Sequence, residues 1–480
     1  MAHGLIVSQS TCVVHSGGYK IIVYVICTIA ALGGLLFGLD QGFIANSLAT
    51  IEKVYHLDIK GAENYSAILA TGGVLGALLS GLFARFLGRK KSLVFAGFIF
   101  SAASIISALL PPLLVLSLCR FCLGFAVGIS SFVVPLYLSE TAPPSIRGSM
   151  GTLFQLMITI GIFLISLTNV FIARIIINPI TALPLMFLVI AIFSLMMFFG
   201  AFVLPESPRW LMLKGRRENA KVALTRIFNT QEEIDFAIGE IEQTLSGSGA
   251  NIGIIFKGYF LKVLIVGILL QVFQQLVGIN IMIYYAPTIF GYAGMKGFIA
   301  MMTVPTVNML FTFPAIKLVE KWGRKKLLQI GGICMLITML TTGFTFQYIS
   351  GIKDPALIGV TPKIILLISS IIYIFGFAIG WGPCVWLVCS EIFPLKGREV
   401  GMTITTIINW TFTGILMANA LTFMQVYGNA SIFYLFACFT VISFFFVAFM
   451  VPETKGITLE ELEANLRNGK KLRELGNCKR

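Results

Sequence analysis

Charged side chains are scarce in this sequence. Only 12% of the 480 residues are Asp, Glu, Lys or Arg, against about 25% in a soluble domain. That deficit excludes an ordinary water-soluble fold. Histidine is scarcer still, and His3, His15 and His56 all lie outside the apolar runs. No nucleophile–base pair or metal-ligand cluster stands at depth, so an enzyme is not expected, nor a catalytic residue, a cofactor or a metal. The N-terminal stretch MAHGLIVSQSTCVVHS lacks a cationic region. The first span therefore reads as a retained helix rather than a cleaved signal.

Acidic residues are the rarer sign, 21 against 35 basic ones, for a net charge of +14. The excess is not a nucleic-acid footprint. Arg85, Arg89, Lys90 and Lys91 fall in one short loop, and Lys317, Lys321, Arg324, Lys325 and Lys326 in another. The 205–262 segment and the tail hold most of the rest, while alternate loops are poor in Lys and Arg. This is the positive-inside pattern; it places both termini in the cytoplasm and gives no nucleic-acid partner. The nine Cys, an odd number, are scattered mainly through apolar spans, where Cys behaves as a small hydrophobe. Cys119 and Cys122 would read as a redox pair on a soluble unit, but here they flank Arg120 in a membrane helix.

What the sequence has in abundance is apolar length. Hydrophobic residues make up 57% of the chain, and the mean hydropathy is +0.92. Twelve apolar runs lie near 19–47, 64–84, 92–111, 113–138, 148–173, 182–204, 258–290, 297–318, 326–349, 361–390, 400–426 and 430–451. The pattern predicts an all-α membrane protein with the lipid bilayer as its surroundings. The expected division is 1–204 as a first six-helix bundle, 205–257 as a cytoplasmic linker with short helices, 258–452 as a second bundle, and 453–480 as a cytoplasmic tail.

The halves repeat. Gly88-Arg89-Lys90-Lys91 recurs as Gly323-Arg324-Lys325-Lys326. Ser139-Glu140-x-x-Pro143-x-x-x-Arg147 recurs as Ser390-Glu391-x-x-Pro394-x-x-x-Arg398, and Pro205-Glu206-Ser207 as Pro452-Glu453-Thr454. Three motifs in one order at nearly constant offset imply two bundles related by an axis along the membrane normal. A substrate site between them near the midplane follows.

Within the spans, polar residues mark that site. Asp40 is the one ionisable residue in ALGGLLFGLDQGFIANS, and Arg120 is the other charge deep in an apolar segment. A carboxylate at membrane depth costs roughly 2.5–3.5 kcal/mol, so the pair reads as part of an ion or proton pathway, the alternative being a wet helix end. Gln155, Gln274, Gln275, Asn280, Asn308 and Asn409 are neutral amides at depth. Amides donate and accept, which suits paired sugar hydroxyls, and Trp386 and Trp410 offer rings to apolar C–H faces. Interhelical hydrogen bonding is the plainer role for any one amide.

Gly278 and Gly382-Pro383 interrupt their helices, as backbone lining a cavity can. Tyr284 and Tyr285 are candidates for an outer gate, with packing an equal alternative. The pairs Gly34/Gly38, Gly72/Gly76, Gly124/Gly128 and Gly376/Gly380 are expected to pack within the bundle. Glu140, Arg147, Glu206, Arg209, Glu320, Arg324, Glu391 and Arg398 sit at inner helix ends in both halves. Salt bridges among them are expected to hold the inner faces of the bundles together as a latch.

These motifs resemble the sugar porter family of the major facilitator superfamily, among them bacterial proton-coupled xylose and hexose symporters. The signatures are PLYLSETAPPSIRG at 135–148, PESPRW at 205–210, QQLVGIN at 274–280, GPCVW at 382–386, SEIFP at 390–394 and VPETKG at 451–456. The resemblance implies the major facilitator fold, twelve transmembrane helices in two six-helix bundles, working as a monomer in the inner (plasma) membrane. It places sugar contacts on Gln155, Gln274, Gln275, Asn280, Asn308, Trp386 and Asn409. Proton-coupled members carry Asp in the first-span motif with an Arg in span 4, so Asp40 with Arg120 resembles the symporter pattern. The expected activity is proton-coupled import of a neutral monosaccharide, hexose or pentose, by alternating access. A facilitative uniporter is the nearest alternative, and a non-transporting sugar sensor is the rival from another class. Two positions depart from or refine the family pattern. Arg85 and Phe86 stand where the loop after span 2 usually has Asp and Arg. Ile162, seven residues after Gln155, matches glucose rather than xylose carriers.

Overall fold

The computed structural model describes residues 20–143, 146–176, 178–246, 258–295, 297–352, 357–394, 397–455, 457 and 459–475. Among these residues there are helices and no strands. The first half holds six long helices: α1 (Ile22–Tyr55), α2 (Ile59–Phe86), α3 (Arg89–Ala108), α4 (Leu113–Thr141), α5 (Arg147–Ile175) and α6 (Pro179–Val203). Three short helices follow, α7 (Pro208–Leu213), α8 (Arg217–Thr225) and α9 (Gln231–Ser246). The second half comprises α10 (Gly258–Leu276), α11 (Ile279–Tyr284), α12 (Ala286–Tyr292), α13 (Phe298–Trp322), α14 (Arg324–Ile349), α15 (Val360–Gly376), α16 (Gly382–Ile392), α17 (Arg398–Met417), α18 (Ala420–Tyr427) and α19 (Ser431–Met450). A tail helix, α20 (Leu459–Arg467), lies beyond. Twelve helical spans among the described residues are long and apolar enough to cross a membrane. This is the number expected from the apolar runs.

Several boundaries differ from expectation for identifiable reasons. Helix α1 continues beyond Ser47 to Tyr55 because Leu48 and Ile51 remain buried and keep an inward apolar stripe. The seventh span does break at Gly278, as expected; this residue has φ +93° and would put a Cβ 2.4 Å from the Phe436 ring. Only a residue without a Cβ takes that conformation so close to a neighbour. The tenth span does not break at Gly382-Pro383. It passes through one wide π-type turn, Phe377–Trp381, in which the Gly382 N–H bonds to Phe377 O. Pro383 lacks an N–H, and the widened turn absorbs that missing donor without ending the helix.

The small-residue pairs bring helices together inside the protein. A Cβ on Gly72 would fall 2.1 Å from Phe121 O, and one on Gly124 would fall 2.0 Å from Leu69 O. The backbones of α2 and α4 therefore touch, as small residues at the crossing allow. Across the two halves, α2 packs along α17 and α5 along α13.

Candidate sugar and proton sites

Helices α1 and α4 bring Asp40 and Arg120 together in the interior, where both side chains are almost completely buried. Arg120 Nη1 donates to Asp40 Oδ1. The pairing is one-handed. Asp40 Oδ2 and Arg120 Nε and Nη2 have no hydrogen-bond partner among the described residues. The guanidinium also sits 5.8 Å from the Tyr65 ring centroid, an attraction worth about 0.5–2 kcal/mol. From the other half, Tyr284 on α11 comes within electrostatic reach of both charges and faces Gln41. A charged pair is thus sealed at the junction of the two halves.

The amides form a second cluster. Gln274 on α10 donates to Trp381 O at 2.9 Å, a carbonyl in the wide turn of the tenth span. Asn409 on α17 donates to Gln274 Oε1 at 2.8 Å and to Gln271 Oε1 at 2.6 Å. Asn280 on α11 donates to Gln275 Oε1 at 2.5 Å and to Thr413 Oγ1 at 3.2 Å. Thr413 Oγ1 in turn donates to Asn409 O at 2.9 Å, so four of the expected residues share one net across α10, α11 and α17. No hydrogen bond ties the side chains of Gln155, Asn308 or Trp386 to that net among the described residues. Asn308 is buried on α13, while Gln155 and Trp386 are half-buried. Trp410 is buried, 5.2 Å from the Phe37 ring of α1.

Two participants were not foreseen. Gln271 stands one turn before Gln274 on the same face, a spacing that could have flagged it. Trp381, fully buried with its indole donating to Leu328 O at 3.0 Å, holds the carbonyl that Gln274 caps.

Tyr284 and Tyr285 are both buried. Tyr285 donates to Met417 O at 3.0 Å, closing the α11–α12 junction onto the end of α17.

At the opposite, basic end the repeated motifs build one arrangement twice. Arg89 donates to both oxygens of Glu140, at 2.8 and 2.7 Å, and Ser207 donates to Glu140 at 2.5 Å. Glu206 Oε1 accepts the backbone N–H groups of Arg89 and Lys90 at 2.9 and 3.1 Å, capping α3. In the second half Arg324 donates to Glu391 at 2.7 Å and Thr454 to Glu391 at 2.5 Å. Glu453 accepts the N–H groups of Arg324 and Lys325 at 3.0 and 3.1 Å.

Gly88 and Gly323, at φ +90° and +86°, leave the room these caps need, since a Cβ would meet the Glu206 or Glu453 carboxylate at 2.3 or 2.5 Å. Burial pushes the Glu206 carboxyl above its usual range, and its backbone hydrogen bonds oppose this.

These pairs lie within each bundle, joining α3 to α4 and α14 to α16, and do not run from one bundle to the other. Motif partners sit at the ends of neighbouring helices of the same half, so the expectation of a bundle-to-bundle clamp is corrected for them. Glu320 is exposed, Arg209 and Arg398 are half-buried, and the Arg147 side chain lies outside the described part.

The profile of a family described as "Sugar (and other) transporter" matches residues 26–466. The galactose-proton symporter of Escherichia coli K12 is 39% identical over 95% of this chain and 97% of its own length. The arabinose-proton symporter of the same strain is 36% identical over 93% and 94%. Among solved structures, the major facilitator proton:xylose symporter XylE bound to 6-bromo-6-deoxy-D-glucose superimposes with a TM-score of 0.77. It is 29% identical, covering 92% of this chain and 98% of that one. A partially occluded inward-open form of XylE from E. coli gives 0.77 as well. With twelve spans, a two-fold repeated motif set and these matches along nearly the whole chain, this protein belongs to the sugar transporter family of the major facilitator superfamily.

Proposed function

We propose that this chain imports a neutral monosaccharide together with a proton across the plasma membrane, by alternating access and as a monomer. Both termini face the cytoplasm, so the basic end is the inner one. The observation that carries the reading is the buried Asp40–Arg120 pair, held by one hydrogen bond with Asp40 Oδ2 left unmatched. An oxygen with no donor in an apolar site is where a proton is best received. Protonation removes the charge that attracts Arg120, and the freed guanidinium then favours a different arrangement of α1 against α4. Tyr284, facing this pair from the second half, relays that change to the junction of the bundles.

The sugar binds at the amide net, where Gln275, Asn280 and Asn409 supply donors and acceptors to hydroxyls. Gln155, Asn308 and Trp386 complete the contact set from α5, α13 and α16. Trp410 forms the apolar floor. The names of the relatives, galactose, arabinose and xylose carriers, support a hexose or pentose. Tyr284 and Tyr285 close the outer side. The paired carboxylates and arginines at the inner ends, with Arg147, Arg209, Glu320 and Arg398, are the charges rearranged when the inner side opens.

Reconstituted protein in liposomes tests the coupling. Wild type is expected to accumulate sugar when an inward proton gradient is imposed. Asp40→Asn is expected to lose accumulation while retaining sugar exchange. Equal uptake by both proteins, indifferent to the gradient, would make this a uniporter and return Asp40 to a structural role.

A further inference from the structure

The outer ends of the two halves meet at a break in the eleventh span. Helix α17 ends at Met417 and α18 begins at Ala420, with Ala418 and Asn419 between them. Such a break leaves orphan carbonyls at the end of one helix and orphan N–H groups at the start of the next. In a membrane protein those groups need partners. Here the partners come from the other half.

Glu63, on the second turn of α2, is completely buried. Its Oε1 accepts the Thr422 N–H at 2.8 Å and its Oε2 accepts the Thr422 hydroxyl at 2.5 Å. Thr422 is the third residue of α18, so Glu63 caps that helix from outside its own chain segment. Lys60, three residues earlier on the same face of α2, donates to Ala418 O at 2.5 Å and reaches Asn419 Oδ1 at 3.5 Å. Ala418 O is the acceptor that an unbroken helix would have matched to the Thr422 N–H. One acid and one base of α2 thus take up both halves of a single broken backbone bond.

The plainer reading, an i,i+3 ion pair on a helix surface, fits poorly. Lys60 lies 3.4 Å from Glu63, farther than Glu63 lies from either Thr422 donor, and Glu63 has no exposed surface. Tyr285 adds a third contact at the same place through Met417 O.

We propose that Glu63 and Lys60 form the outer lock of the transport cycle, a cross-bundle cap that holds the outside-closed arrangement and must dissolve for sugar to enter. When the outer ends part, α2 withdraws from α17 and α18. Water then replaces the carboxylate and the ammonium at the break. The cap is therefore complete in one state only, and it biases the equilibrium toward that state by its differential contacts. These are positioning residues; neither touches the amide net nor the Asp40 pair. The proposal rests on the alternating-access reading, and its readout does not involve proton coupling.

Hydrogen–deuterium exchange of the full-length protein in lipid nanodiscs tests it. Glu63→Gln keeps one acceptor and loses the charge. It is expected to raise outside-open over outside-closed molecules roughly tenfold, about 1.4 kcal/mol. Amides around 57–67 and 415–425 should exchange faster, and amides at the inner ends of α5 and α17 more slowly. Thr422→Val, which spares the acid, is expected to move both regions in the same directions by less, and it carries the test if the first variant fails to fold. Faster exchange at 415–425 with the inner ends unchanged would overturn the proposal, because Glu63 would then cap α18 within a fixed bundle arrangement. Unchanged exchange in both regions would overturn it equally.

Discussion

Gln274 and Gln275 are neighbours in sequence but differ in what they are bonded to. Gln274 is spoken for on both sides, giving to Trp381 O and receiving from Asn409. Among the described residues Gln275 only receives, from Asn280, and its amide nitrogen is the group proposed to meet the sugar. Replacing Gln275 by Ala is expected to weaken sugar binding about tenfold, ~1.4 kcal/mol, with the melting temperature nearly unchanged. Replacing Gln274 by Ala is expected to lower stability as well, by ~1–2 kcal/mol, because the Trp381 carbonyl and one of the two hydrogen bonds given by Asn409 are left unmatched. Ligand-induced tryptophan quenching and thermal unfolding separate the two. Unchanged affinity in Gln275→Ala would remove that residue from the site. This group of amides was legible in the sequence because amides at membrane depth are costly and therefore stand out. Which of them are shared among protein partners was not, since that depends on helix rotation. Glu63 was missed for a related reason: it lies just outside the apolar run, and its partner is 359 residues away.

At the scale of elements, the two halves show how much a repeated motif can specify. The recurrence of Gly-Arg-Lys-Lys and of Pro-Glu-Ser/Thr marks the basic helix ends in the sequence itself. The direction of the pairing was not visible. Glu206 and Glu453 cap the helices that follow Gly88 and Gly323, while Glu140 and Glu391 take the arginines. Arg89 and Glu453 stand in the repeated motifs but outside the expected latch, and the geometry brings them into these clusters. The Glu206 cap has a pH signature. Burial raises its carboxyl in the fold, so the folded state binds the proton more tightly than the unfolded chain does. The contribution of this group is therefore most favourable below its unfolded pKa and declines as pH rises through the folded one. Glu206→Gln removes that titration. Unfolding temperatures of both proteins at ~pH 5 and ~pH 8 are expected to show wild type gaining on the variant as the pH falls. A constant difference would mean that the ionised cap carries no burial penalty.

For the whole molecule, the twelve-span count and the two-fold repeat were readable because the bilayer sets helix length and because duplicated loops keep their charges. The break at Gly278 was legible too, from its glycine, whereas the wide turn before Gly382 and the break at Asn419 were harder to place, as each depends on a neighbour in another helix. Coupling is likewise a property of the whole cycle. If one proton accompanies each neutral sugar, one net charge crosses the membrane per turnover. A potential of about 100 mV then contributes roughly 2.3 kcal/mol, and at ~1.4 kcal/mol per tenfold this sustains a gradient of about fortyfold. Liposomes given an inside-negative potassium diffusion potential at equal pH on both sides are expected to accumulate sugar and then release it when the potential is collapsed. Accumulation that needs a pH difference and ignores the potential would mean that no net charge crosses per cycle, because a counter-ion moves with the proton or a second cation returns against it. Charges of the protein such as Arg120 regain their starting place in every cycle and cannot supply that balance.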